Sequence, residues 1–322
     1  MKQILMAKGA RTIVEVCAGT KPGEKAVIVT EPCMLSMAEA MAAAVIAAGA
    51  EPVITVLTPR SADGQEPPES VAAAMKASNV FFNVVRTSIT HTRATRDAAA
   101  AGSRGMMMTQ FSEEMLMGGG INADFRAIAP QCEAVAKALE GSETIHLTTP
   151  HGTDLTFSAR GRRGNALTCL IEPGMFTTVP TIEANVSPLE GTAEGTIVAD
   201  ASIPYIGIGL LKEPITFKVE KGMIVSITGG SQADILRRNW ESKNDPLVYN
   251  VAEIGIGLNP ECRFIGYMLE DEGVYGSVHI GTGTNITLGG VTKAACHYDL
   301  IMTGATITAD GRYVLKDGKV AL

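Results

Sequence analysis

The sequence predicts an α/β protein, with a Rossmann-like parallel-sheet domain over residues 1–140 followed by a β-rich α+β domain over residues 141–322. Three observations lead there. Strand-like and helix-like segments alternate through the first part at the spacing of βαβ units. Beyond Gly141, short strands joined by tight turns take over. Between Glu253 and Asp299, residues suited to hold a metal ion arrive in quick succession, which makes the second part the candidate metal-binding domain.

Taken in order, residues 3–18 place Ile4, Leu5, Ile13 and Val16 at helical spacing, and Lys21-Pro22-Gly23 closes the segment. Ala26–Thr30 reads as a short buried strand, residues 36–49 as an Ala- and Met-rich helix ending at Gly49, and Pro52–Leu57 as the next strand. A helix near 69–77, a strand over Val80–Val85, a helix over Thr92–Ala101, a strand over Met106–Thr109 and a helix over 124–140 complete the layer. In the second part, Glu143–Thr149, Thr153–Ala159, Ile197–Ala199, Ile215–Val219, Ile224–Thr228 and Tyr313–Val320 are strand-like. Turns at Pro150-His151-Gly152, Glu220-Lys221-Gly222 and Lys316-Asp317-Gly318 join them. One helix, Ser231–Glu241, interrupts them.

Composition removes several classes of function. With 46% hydrophobic and 19% charged residues in 322, the chain is an ordered globular protein large enough for two cores. A net charge of −7 argues against a general nucleic-acid binder, and the cluster Arg160, Arg162, Arg163 reads as a solvated hairpin tip. No window is apolar enough for a membrane span and no secretory pattern opens the chain. The six cysteines show no Cys-x-x-Cys spacing, as in a reduced cytoplasmic protein. After Ala26–Thr30 comes Glu31-Pro32-Cys33-Met34 rather than a glycine-rich phosphate loop, so no nucleotide cofactor is expected. The expected partners are a small-molecule substrate and further copies of the chain in a symmetric homo-oligomer, with neither nucleic acid nor membrane. Glycine pairs at 207–209, 255–257 and 281–283 lie in strand-like sequence and mark bulges or close backbone approaches.

The chemistry centres on His297 and Asp299 in Ala-Ala-Cys-His-Tyr-Asp-Leu-Ile-Met. On a strand, positions two apart share a face, so an imidazole and a carboxylate project together. That pair suits zinc, manganese, cobalt or iron. A buried His–Asp hydrogen bond is the blander alternative. Glu253 in Ala-Glu-Ile-Gly and His279 in Val-His-Ile-Gly tip the balance toward metal. Tyr298 and Cys296 alternate to the opposite face, His91 and His151 read as surface residues, and His146 as a satisfied sheet histidine. The run Glu270-Asp271-Glu272 reads as a solvated turn.

The succession Pro180-Thr181-Ile182-Glu183, Glu190-Gly191, Glu220-Lys221-Gly222, Ala252-Glu253-Ile254-Gly255, Asp271-Glu272, His279-Ile280-Gly281 and His297-x-Asp299 resembles the metallo-aminopeptidases of the aminopeptidase S and T group. It also resembles the bacterial 2,5-dihydroxypyridine 5,6-dioxygenases, which share their fold. The aminopeptidase resemblance implies two divalent ions on Glu183, Glu253, His279, His297 and Asp299. Glu183 and Glu272 would assist a metal-activated water in cleaving a small amide, peptide or N-heterocycle. In this sequence Ile182 stands where those enzymes have a second glutamate, and Ile286 where they have a ligating tyrosine, for which Tyr275 is a substitute. The dioxygenase resemblance implies one ferrous ion held by two histidines and a carboxylate, with open positions for a ring substrate and O₂. His297 and Asp299 match that triad, its other histidine falls at Glu253, and His279 replaces an apolar residue. The ligand set ranks the hydrolase first, the dioxygenase second and a non-catalytic binding protein third.

Overall fold

In the computed structural model, which describes residues 1–322, the valine-rich segments of the first part form a parallel sheet. Its strand order is Glu51–Val56, Lys25–Thr30, Val80–Val84, Arg104–Met107, Phe176–Thr178, and every neighbouring pair is parallel. Helices Leu35–Ala47, Glu69–Ala77 and Arg93–Ala100 follow the first three strands in sequence. The central strand Val80–Val84 is buried throughout, as a strand covered on both faces must be. On one face Val27, Val29, Phe81, Val85 and Met107 pack with Val71, Met75 and Ala98. Local chemistry sets the helix ends. Thr92 Oγ1 accepts from the Thr95 amide to start one helix, and Gly49, at φ +78°, ends another. The first helix, Lys2–Arg11, continues as a π-helical turn over Thr12–Cys17.

Contacts divide the chain into two units, Met1–Ala127 with Cys169–Pro180, and Ile128–Thr168 with Thr181–Leu322. Phe176–Thr178 returns to the first sheet as an edge strand of three residues, too short to show a period in sequence. No helix is long and apolar enough to cross a membrane.

The second unit contains two antiparallel sheets. The eight-stranded sheet runs Met223–Thr228, Ile215–Glu220, Glu194–Ala199, Asp154–Phe157, Ile145–Thr148, Thr306–Ala309, Arg312–Lys316, Lys319–Val320. The seven-stranded sheet runs Gly209–Leu210, Ser202–Ile203, His297–Met302, Val278–Gly283, Val251–Gly257, Glu183–Val186, Asn165–Leu167.

Register in the seven-stranded sheet decides which side chains share a face. Gly257 pairs with Glu183, Gly255 with both Asn185 and His279, Gly281 with both Glu253 and Asp299, and Gly283 with His297. Residues paired across strands project from the same face. One face is therefore apolar, with Ala184, Val186, Ile254, Ile256, Val278, Ile280 and Leu300 all buried. The other alternates polar side chains with glycines. Glu253 joins this row because it alternates regularly with Gly255 and Gly257, and the bulge between Val251 and Glu253 shifts only the register before it, where Val251 pairs with Thr282.

Candidate metal centre

Four adjacent strands of the seven-stranded sheet bring Glu183, Glu253, His279, His297 and Asp299 to one buried place. His297 Nε2 lies 3.0 Å from Glu253 Oε2 and 3.3 Å from Asp299 Oδ1. His279 Nε2 lies 3.6 Å from Glu183 Oε2 and 3.9 Å from Glu253 Oε1. Two groups result, Glu253–His297–Asp299 and Glu183–Glu253–His279, each with one donor atom per residue within 4.8 Å of the others. Glu253 belongs to both, offering one oxygen to each.

The glycines make room for this. A Cβ on Gly255 would stand 2.1 Å from His279 Nε2, and one on Gly281 would stand 2.6 Å from His297 Nε2. Both imidazoles thus lean over neighbouring strands at places where a side chain is missing. The sequence reading of close approaches at 255–257 and 281–283 finds its physical reason here.

Outer hydrogen bonds orient the donors. His297 Nδ1–H donates to the Thr284 carbonyl at 2.7 Å, which turns Nε2 toward the carboxylates. Asn185 Nδ2 donates to Glu183 Oε1 at 2.8 Å and in turn accepts from Asn165 Nδ2 at 2.9 Å. The Tyr205 hydroxyl donates to Asp299 Oδ2 at 2.5 Å. The opposite oxygens, Glu183 Oε2 and Asp299 Oδ1, are buried and accept no hydrogen bond. Such atoms in a native interior call for a partner. Carboxylate oxygens and imidazole nitrogens together are the donor set of a divalent cation, so the residues present fit a metal ion.

Titration favours positive charge at the same place. Burial lifts the Glu183 carboxyl to about 7, against the pull of His279. Burial lowers the affinity of His279 for a proton, but Glu183, Glu253 and Asp299 outweigh it and push the imidazole up to about 9. His297 is likewise raised well above the usual range, burial being outweighed by Asp299 and Glu253. Glu253 and Asp299 are held below the usual carboxylate range because the imidazoles beside them overcome burial. Glu272 is raised well above it by burial, then by Asp299 and Glu183.

Several sequence expectations need correction. Glu270, Asp271 and Glu272 do not form a solvated turn, for all three are buried. Asp271 Oδ1 accepts from the Ile265 and Gly266 amides and Glu270 Oε1 from the Arg263 amide, so the acids close a backbone loop. Glu272 faces the candidate centre, 3.2 Å from the Tyr205 hydroxyl. Arg162 does not point into solvent but pairs with Glu190 and donates to the Gly289 carbonyl. Glu190 also accepts from Asn285 and from the Val291 amide. That network pins the loop whose first residue, Thr284, orients His297. The phenol at the centre belongs to Tyr205, while Tyr275 is 37% exposed. Nothing local in Ile-Pro-Tyr-Ile-Gly marks Tyr205, which meets Asp299 from 94 residues away.

Residues 6–322 match the 2,5-dihydroxypyridine 5,6-dioxygenase family, nearly the whole chain. The chain belongs to that family. A curated member, the 2,5-dihydroxypyridine 5,6-dioxygenase of Pseudomonas putida KT2440, is 31% identical over 202 residues. The aligned part covers 58% of this chain and 57% of that one, so the chain matches little more than half the length of that relative. The solved structure of 2,5-dihydroxypyridine dioxygenase from P. putida KT2440 superposes with a TM-score of 0.82 at 20% identity, covering 98% of this chain and 96% of the other. AmpT from Thermus thermophilus superposes with a TM-score of 0.70 at 16% identity over the full length of both. These two share the α/β fold with its parallel and antiparallel sheets. The family match backs the second-ranked resemblance, to the dioxygenases, better than the first, to the aminopeptidases.

Two outcomes test the centre. Gly281→Ala puts a methyl group against His297 and Glu253. Isothermal titration with a divalent metal is expected to show affinity reduced roughly 10- to 100-fold, as for other disturbed ligand supports. Unchanged affinity would contradict the geometry. The second concerns pH. Folding raises Glu183 from 4.5 to about 7 and His279 from 6.5 to about 9. A raised group stabilises fully below its unfolded value and ceases to do so as pH rises through its folded value. Metal-free protein is therefore expected to lose Tm progressively from pH 4.5 to about 9. The lowered Glu253 and Asp299 act only at more acid pH. With saturating metal, which replaces those protons, the slope flattens. Thermal melts of both forms check this, and a metal-free Tm that climbs toward the alkaline end would contradict it.

Proposed function

We propose that the protein opens the ring of a small hydroxylated N-heteroaromatic substrate with dioxygen, using one ferrous ion held by Glu253, His297 and Asp299. The observation that carries this reading is the family match over residues 6–322 together with a buried His-and-carboxylate group whose free donor atoms converge. Charge supports a single ion. Without metal, Glu183, Glu253 and Asp299 face two imidazoles that both hold protons firmly. One divalent ion replaces those two protons with no change in net charge, and so fits the environment the carboxylates have built.

The donor set is this chain's own variation. Glu253 stands where the family's resemblance places a histidine, which gives one imidazole and two carboxylates. Oxygen and nitrogen donors of this kind suit Fe(II) as well as Mn(II) or Co(II). When bound, the ion supplies a site at which a ring hydroxylate and dioxygen meet. The residues around it do the rest. Thr284 fixes the His297 tautomer. Glu183, buried and with Oε2 free of hydrogen bonds, would take the proton of a ring hydroxyl. Glu272, whose carboxyl burial raises well above the usual range, would return one to the opened product. The ring carbon–carbon bond breaks, both oxygen atoms enter the product, and no external reductant is consumed.

A second reading, metal-assisted hydrolysis with two ions, is favoured by the second donor group, Glu183–Glu253–His279, which shares Glu253 with the first. Oxygen separates the two. With iron-reconstituted protein and 2,5-dihydroxypyridine or related hydroxypyridines, an oxygen electrode is expected to record dioxygen consumed in equal measure with substrate. No turnover is expected under argon. Turnover undiminished without oxygen would replace this reading with the hydrolytic one.

A further inference from the structure

Asp299 can bind a metal with one oxygen or chelate it with two, and what lies behind it decides which. Beside it stands a tyrosine that neither the ligand motifs nor the family match singles out. The strand Ser202–Ile203 pairs with His297–Met302 only at Ile301, and then the chain turns through Pro204–Gly207, with Ile206 at φ +50°. That turn swings Tyr205 alongside the ligand strand. Its ring stacks on Tyr298, with centroids 4.7 Å apart and planes 23° from parallel. Tyr298 is itself held by its hydroxyl, which donates to Asn239 Oδ1 at 3.1 Å. A ring clamped in this way has little freedom, and its hydroxyl reaches Asp299 Oδ2 at 2.5 Å.

The consequence lies in which oxygen is taken. Tyr205 occupies Oδ2, on the side away from His297, whereas Oδ1 faces His297 Nε2 at 3.3 Å and has no hydrogen-bond partner. Asn185 treats Glu183 in the same manner, occupying Oε1 and leaving Oε2 open. We propose that Tyr205 is a positioning residue that restricts Asp299 to one metal-facing oxygen and so keeps a coordination position open for substrate or O₂. The inference rests on the reading that Glu253, His297 and Asp299 hold a metal. It deepens that reading by assigning the open position to a phenol outside the ligand set.

Cobalt(II) reports coordination number without turnover, since its visible absorption weakens as further ligand atoms bind. Tyr205→Phe keeps the stacked ring and removes one hydroxyl, freeing Oδ2 to chelate. Relative to wild type, cobalt-loaded Tyr205→Phe is expected to show weaker visible bands and an affinity altered roughly 10-fold in chelator competition, as for other changes behind a ligand. Tyr275→Phe removes the hydroxyl of a tyrosine that is 37% exposed and outside the stacked pair, and is expected to match the wild-type spectrum. A Tyr205→Phe protein with a lowered Tm but wild-type spectrum and affinity would overturn the inference, leaving the tyrosine a packing role. So would a Tyr275→Phe protein that reproduces the Tyr205→Phe spectrum. A wild-type chain that takes up no cobalt would overturn the metal reading and this inference together.

Discussion

Three carboxylates with almost no exposure share one face of a sheet, and this crowding is what the surrounding structure has to resolve. Glu183, Glu253 and Asp299 are each 5% exposed or less. Like charges desolvated side by side are unfavourable by several kcal/mol per ion unless cations accompany them. In the metal-free chain the two imidazoles are those cations, which is why both titrate far above an ordinary histidine. A divalent metal performs the same neutralisation and releases the protons. Folding, protonation and metal binding are therefore three sides of one electrostatic requirement.

Backbone geometry meets that requirement through the glycines. Paired strands set side chains only about 5 Å apart, too close for five bulky polar groups in adjacent register positions. Alternating each ligand candidate with a glycine on the next strand lets the imidazoles lean over empty ground, and the shared carboxylate of Glu253 enters the row by the same two-residue alternation with Gly255. The apolar residues between them bury the reverse face, so the same alternation that builds the site anchors its sheet in the core. Neutral hydrogen-bonding groups finish the arrangement. Asn185 and Tyr205 each take one carboxylate oxygen, and the Thr284 carbonyl takes the spare nitrogen of His297.

Much of this was legible from sequence where the physics is local. His297 and Asp299 share a face because strands repeat every two residues, and the helix beginning at Thr92 declares itself by its cap. The parallel layer followed from alternating periods, and the resemblance placed Glu183, Glu253 and His279 by order along the chain. What escaped depends on contacts between distant segments. Tyr205, Arg162 and Asn285 gain their places only through partners far away in sequence. The acidic run at 270–272 misled because charge predicts exposure on average, whereas here backbone amides compensate burial. The ligand motifs leaned toward a hydrolase and the family match toward a dioxygenase, because Glu253 and His279 are where this chain differs from the dioxygenase pattern.

A metal centre built on Glu253, His297 and Asp299 declares itself first in metal content. Protein purified without chelators or added metal, analysed by plasma mass spectrometry against protein concentration, should hold one iron per chain. That iron should be lost in His297→Ala and retained in Glu183→Ala. Two divalent ions per chain, one of them lost in Glu183→Ala, would contradict the single-ion account. Protein that takes up no metal even after reconstitution would contradict the centre itself.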